Sequence, residues 1–392
     1  MSGPLVALRA RTPLGWLQLR HNKARLAAAL AGVAFADILI FMQLGFLGAL
    51  TAASIASNVD WNADIVLASS EMETLDIAGT LPRRRLYQAL AVEGVAEASP
   101  VYVGSLSWSD PETGDEVQTR AFGIDPAFPA FLDRDIQDRQ AGLALPDTAL
   151  FDRLSRGNFE RLVAEVDAGR PVVLEANGRR LTLTGLFGQG ATFTADGTLV
   201  VSDQTFLRFF PKRAAGAPSL IFVKVASGAD ATRVAARLRA VLPAKDTAVR
   251  TRAETIAIEK AYQLGKRPVG FVFSFGVVIG VIVGLVIVYQ VLSTDVQDHL
   301  DEYATLKAMG YRGRYFLGVV FEEASILAGF GFVPGLSIAL VLYALAARVT
   351  ALPVDMPPLR ALAVFLLTLA MCAASGALAT RRLNRADPAD LF

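Results

Sequence analysis

The sequence predicts an α-helical membrane protein with four transmembrane helices, one plus three, and a large extracytoplasmic α+β domain between the first and second. Three observations predict it. Four stretches are apolar over the roughly 20 residues needed to cross a hydrocarbon core of about 30 Å. One of them lies near the N-terminus and three lie near the C-terminus. The stretch 51–268 between the first and second is too long to be a loop, and its pattern alternates between strand and helix.

Residues 1–25 carry Arg9, Arg11, Arg20, Lys23 and Arg25 and no acid, and the tail 381–392 carries Arg381, Arg382 and Arg385. The link between the third and fourth spans offers only Arg348 and Arg360. Basic residues concentrate on the cytoplasmic side of a membrane protein, so both termini are expected inside and the large domain outside. A cleavable signal peptide is a poor reading, because the apolar stretch begins late and ends in QLGFLGAL without a small-x-small site. The charge of the large domain is near balance, which implies no acidic or basic partner, and nucleic acid is not expected.

The first span covers 26–50. Asp37 sits about 16 Å along it at 1.5 Å per residue, near the midplane, where a charge costs about 2.5–3.5 kcal/mol. It is expected to contact a neighbouring helix; a proton or substrate contact is the less favoured reading. The same span has Ala28, Gly32 and Ala36 at four-residue spacing. The second span, 269–292, has Gly276, Gly280 and Gly284 in the same rhythm. Small residues so spaced let helices approach closely, within the chain or across a dimer.

In the outer domain, helix-compatible stretches lead out of the first span to about residue 58 and into the second over 253–267, where Pro268 bends the chain. The domain begins with strand 63–68, helix 82–92 and strand 95–108. It ends with strand 219–225, helix 230–242 and strand 247–251. Two β-α-β units at opposite ends imply an α+β layer of ferredoxin-like type, with a β-rich subdomain inserted at about 111–216. PETGDE, EANGRR and TADGT supply its turns, and LFGQGATFTADG (186–197) reads as a hairpin. That glycine-rich run has no lysine and no following helix, so it is not a phosphate loop. Asp125, Asp196 and Asp203 read as turn and strand-end residues. Cys372 lies in the fourth span, so the outer domain has no disulfide. His21 and His299 are far apart, which excludes a histidine-based metal site; no cofactor, metal or catalytic residue is expected.

The link 293–315, STDVQDHLDEYATLKAMGYRGRY, is acidic early, apolar at Leu300, Tyr303, Ala304, Leu306 and Met309, and stops at Gly310. That pattern makes a short amphipathic helix along the cytoplasmic face, either an interfacial connector or a coupling helix that seats in a separate protein. The coupling reading places Asp298, Glu302, Leu306, Lys307, Met309 and Gly310 in the contact. Glu322 and Glu323 open the third span (316–346) near the same surface, within reach of lipid headgroups or a partner. Pro334 falls inside that span, which is expected to be one kinked helix. The fourth span covers 361–380.

The run EYATLKAMGYRGRYFLGVVFEEASILA (302–328) resembles the segment before and into the third helix of the MacB/FtsX-like permeases, and RRLNRADPADLF (381–392) resembles their closing signature. FADILIFMQLGF, LPRRRLYQAL, VIVYQVLSTDVQDHLDEYATLKAMGY and ADPADLF resemble, more narrowly, the DevC family of that ABC transporter superfamily. The resemblance implies a homodimeric, non-catalytic permease of a bacterial inner membrane, with the large domain in the periplasm. ATP would be hydrolysed on a separate DevA-like ATP-binding subunit seated on the helix before the third span. A DevB-like membrane-fusion adaptor and a TolC-like outer-membrane duct would complete an efflux system for a glycolipid or another envelope or hydrophobic compound. The alternative is an FtsX-like regulator that switches a periplasmic cell-wall hydrolase without transport.

Overall fold

The structure, a computed structural model, describes residues 23–299, 305, 309 and 313–385. It divides into a helical unit and a head.

Four long helices carry the apolar stretches: α1 (Lys23–Asp60), α8 (Pro268–Asp298), α9 (Gly313–Thr350) and α10 (Pro358–Arg385). Each exceeds the length a bilayer requires. Pro334 is accommodated inside α9, which continues on both sides of it. The glycine rhythm explains how α1 and α8 meet. A Cβ on Gly276 would fall on the Gln43 side chain, one on Gly280 on Ile40, and one on Gly284 on Ala36 and Met371. From the other side, a Cβ on Gly32 would strike Ile287. The small-residue faces are therefore consumed within the chain. Phe271, Phe275, Val278, Ile282 and Val286 lie along the exposed face of α8.

The head is built on one long strand. Between β1 (Ile65–Ser69) and β2 (Val95–Ser109) lies α2 (Arg84–Leu90). Far along the chain, β8 (Leu220–Val225), α6 (Ala231–Val241) and β9 (Thr247–Thr251) form the second β-α-β unit. These strands pair antiparallel in the order β2-β8-β1-β9, the ferredoxin-like arrangement, completed from both ends of the domain. Alternation along β1 explains its position: Ile65 and Leu67 join the core under α2 and α6, whereas Val66 and Ala68 face a second core with Trp61, Phe122 and Phe222. Asp230 starts α6 by accepting the Thr232 N–H at 2.8 Å, and Val234, Ala235 and Leu238 form its buried face.

The insert is a closed barrel, and it begins inside β2. Residues 95–101 of β2 pair with β8, whereas residues 102–109 pair with β3 (Glu116–Ile124). From β3 the ring runs to β7 (Gly197–Ser202), β4 (Thr148–Asp152), β6 (Arg179–Phe187) and β5 (Val172–Ala176), which returns to the end of β2 at Trp108 and Ser109. Trp108, Phe151 and Phe159 fill its interior. Two short helices, α4 (Glu160–Asp167) and α5 (Asp203–Phe209), pack on it, and α3 (Arg134–Arg139) lies nearby. Asn177 and Gly178, at φ 49° and 68°, make the two-residue turn between β5 and β6.

The hairpin expected at 186–197 is not formed. That segment joins β6 to β7, and β4 lies between them, paired to both. The physical reason is Asp152 at the end of β4, whose carboxylate accepts N–H bonds from Leu154, Gln189 and Gly190 at 3.0, 3.0 and 2.8 Å. The glycine-rich run is pulled across the end of β4.

Candidate functional site

Two sets of interacting side chains stand out, one in the helical unit and one in the head. In the helical unit, Asp37 is fully buried and accepts the Thr368 hydroxyl from α10, and Gly335 of α9 packs against its Cβ. The gap that a glycine leaves on α9 gives the aspartate its room. Its second oxygen has no hydrogen-bond partner among the described residues.

The N-terminal end of α1 and the C-terminal end of α8 are joined by charge. Arg25 donates to Asp295 at 3.3 Å and also bonds Asp298. The Asp295 side chain is 3% exposed, whereas that of Asp298 is 52% exposed. Glu323 of α9 is fully buried and faces Asp295. The expectation that Glu323 lies at the surface is corrected here. It shares the buried face of α9 with Val319, Val320, Ala324 and Leu327, while Glu322 points to the half-buried side. This acidic end forms no metal-ligand set among the described residues.

Of the residues placed in a coupling contact, Asp298 closes α8 against Arg25, Met309 is 63% exposed and Glu322 is half-buried. Glu302, Leu306, Lys307 and Gly310 lie outside the described residues. Arg25 was legible only as part of a basic N-terminal segment. Its role as the cation between two aspartates some 270 residues away had no local sequence signal.

In the head, three helix ends are held by side chains. Gln189, in the segment that Asp152 pins, accepts the Ser57 hydroxyl from the end of α1 at 3.2 Å and the Thr198 hydroxyl at 2.8 Å. Arg156 forms a three-way clamp. It donates to the Thr350 carbonyl at the end of α9 (2.9 Å), to the Thr192 carbonyl (2.9 Å) and to Asp196 (3.0 Å). The third is α7 (Arg252–Gly265), which starts in a capping box between Thr251 and Glu254. Its buried Glu259 accepts the Thr74 hydroxyl at 2.6 Å, the Leu75 N–H at 3.1 Å and the Gln263 amide at 3.0 Å.

The joint from α7 to α8 is pinned as well. Lys266 pairs with Glu73, and Arg267 pairs with Asp76, which also holds Arg120 and Thr194. Burial works to raise the Asp76 carboxyl, but Arg120, Thr194 and Arg267 outweigh it and hold it below the ordinary carboxylate value. A depressed folded value stabilises the fold above the unfolded pKa of about 3.9 and loses that contribution as pH falls through the folded one. Asp76→Asn is therefore expected to lower stability at neutral pH by about 2 kcal/mol, on the scale of a partly buried pair that loses its acid. It should also flatten the fall in stability below about pH 4 seen for the parent protein. Thermal unfolding measured across pH checks this, and identical acid slopes would exclude Asp76 as the source.

Family models match two successive stretches of the chain. Residues 26–241 match the family model of the MacB-like periplasmic core domain, and residues 274–388 match that of the FtsX-like permease C-terminal domain. Among solved structures, the chain is similar to the extracellular domain of the noncanonic ABC-type transporter YknZ from Gram-positive bacteria. That match has 14% identity and a TM-score of 0.32, and covers 46% of this chain and 92% of that one. It is also similar to the periplasmic region of MacB from Actinobacillus actinomycetemcomitans, at 12% identity and a TM-score of 0.34, over 50% of this chain and 91% of that one. No curated protein sequence matches the chain.

Proposed function

Since this chain belongs to the family that joins a MacB-like periplasmic core domain to an FtsX-like permease C-terminal domain, an ABC-type permease, we propose that it transmits motion from a separate ATPase to its head. In this reading both termini are cytoplasmic and the chain works as a homodimer. A DevA-like ATP-binding subunit presses on the segment 298–310. The resulting movement travels along the spanning helices, and the head pushes a glycolipid or another hydrophobic envelope compound into a DevB-like adaptor and a TolC-like duct, as in a DevBCA-type efflux system. The chain itself performs no hydrolysis.

The observation that carries the reading is the set of grips on helix ends. Side-chain bonds in the head hold Ser57, Thr350 and Arg267, each at or next to the end of a long helix, which supports the reading. A force applied to a helix needs such points of attachment, because a loosely tethered head would not follow it. The clamp at Thr350 adds the third spanning helix to the two whose stalks the sequence predicted.

Two experiments test this. Glu302→Ala, Leu306→Ala and Gly310→Leu should each abolish capture of the ATPase by the full chain while the head remains folded. Normal capture by all three would exclude the segment as the input. Arg156→Ala should leave ATPase capture intact and lower transport by about tenfold, the effect of roughly 1.4 kcal/mol lost from a coupled step. Unchanged transport would remove the clamp from the path. Purification with a hydrolase in place of an adaptor would favour the regulator.

A further inference from the structure

The head contains a cavity of about 320 Å³ between the turn that carries Asp76 and the strands β2 and β3. Its ionisable lining is one acid and two cations, Asp76, Arg120 and Arg213. The acid is already committed to Arg120, to Arg267 and to the Thr194 hydroxyl. Arg213 has no carboxylate partner among the described residues. Its Nη2 donates to the Ser219 hydroxyl and, at 3.4 Å, to the Val103 carbonyl, both neutral acceptors. Its Nε is buried without an acceptor among the described residues. Burial lowers the Arg213 pKa, and the group that opposes this is Tyr102, not an acid. A guanidinium taken from water without a counter-ion is costly, and a planar fork of donors is suited to an oxyanion. Beside it, Leu75, Ile77 and Val103 give the cavity an apolar side, with Ile77 64% exposed.

We propose that this cavity binds a small amphiphilic anion, a phosphate monoester or carboxylate with a short apolar tail. The oxygens meet Arg213 and the tail lies on Leu75, Ile77 and Val103. The volume equals about ten waters at roughly 30 Å³ each, room for a headgroup-sized molecule. Because Asp76 forms one wall and also holds Arg267, an occupant sits beside the α7–α8 joint. The site is separate from the transmission reading and stands or falls without it.

The test titrates the full chain, in a maltoside detergent and with micelle-only blanks, by calorimetry. The probes are hexyl phosphate, hexanoate, inorganic phosphate, hexanol and dihexanoyl phosphatidic acid. Hexyl phosphate should bind saturably and at least about tenfold more tightly than inorganic phosphate or hexanol. Arg213→Gln and Ile77→Glu should each weaken it by about tenfold or more, with circular dichroism unchanged. Ile77→Glu guards against a folding artefact, since it adds a negative charge on an exposed side chain at the cavity. Absence of saturable binding, or equal binding by both variants and the parent, overturns the site. Binding of the phosphatidic acid more than about tenfold tighter than hexyl phosphate overturns the small-ligand assignment in favour of a lipid headgroup.

Discussion

Arg25→Ala is expected to destabilise the helical unit by about 3–5 kcal/mol, the cost of leaving a buried acid without its cation. The loss arises at Asp295, whose side chain is almost fully enclosed, and not at Asp298, whose side chain is half in solvent. Exposed pairs contribute little. Asp295 also faces the buried Glu323, so the variant leaves two acids together with their cation removed. The double variant Arg25→Ala with Asp295→Asn should recover at least half of the loss, because an amide removes one charge and can donate to Glu323. Thermal unfolding of the full chain in detergent measures all three proteins. A double variant no more stable than Arg25→Ala would show that the arginine acts by some route other than Asp295.

Asp152→Ala should be the most damaging single change in the head, again at about 3–5 kcal/mol. Three backbone N–H groups, from Leu154, Gln189 and Gly190, lose a charged acceptor together. Each costs about 1–3 kcal/mol when left unmade, with water recovering part of the sum. The segment 186–197 would no longer be pulled over β4, and Gln189 would release Ser57. Asp152→Asn retains one carbonyl oxygen and should lose roughly half as much. Tryptophan emission from Trp61 and Trp108, both buried in the head, follows the unfolding. A melting point for Asp152→Ala within about 2 °C of the parent, equivalent to less than about 1 kcal/mol for a domain of this size, would be incompatible with this role.

The parts of this architecture that were legible in the sequence are those with a local period. The ferredoxin-like layer could be read because each of its β-α-β units is contiguous, with a helix whose apolar face recurs every three to four residues. The barrel could not, because its closure depends on the parallel pairs β3–β7 and β4–β6, and on β5 returning to β2. No periodicity announces such partners, and the 186–197 run looked like the nearest simple object, a hairpin. At the site, Asp37 was visible because a charge in an apolar run is conspicuous. Glu323 was misplaced although a signal existed: Val319, Val320, Glu323, Ala324 and Leu327 recur on one helical face, and Glu322 falls off it. Arg213 carried no signal, since what distinguishes it is an absent counter-ion, which only three-dimensional neighbours reveal.

The double membership of β2 also orders events during synthesis. Its first half has its neighbour in β8, about 125 residues later, whereas its second half finds β3 across a short turn. Long-range pairing is slow because the intervening chain must first be closed. The barrel strands all leave the ribosome before residue 203, so they can fold around the second half of β2 while its first half still has a bare edge. That edge, and both edges of β1, stay open until β8 and β9 emerge. The chain at that stage has already delivered one apolar helix to the membrane and has yet to deliver the other three. The interval is when this protein is most exposed to mispairing, and the nested barrel shortens it by bringing the chain after β7 close to residue 101, the partner of residue 220.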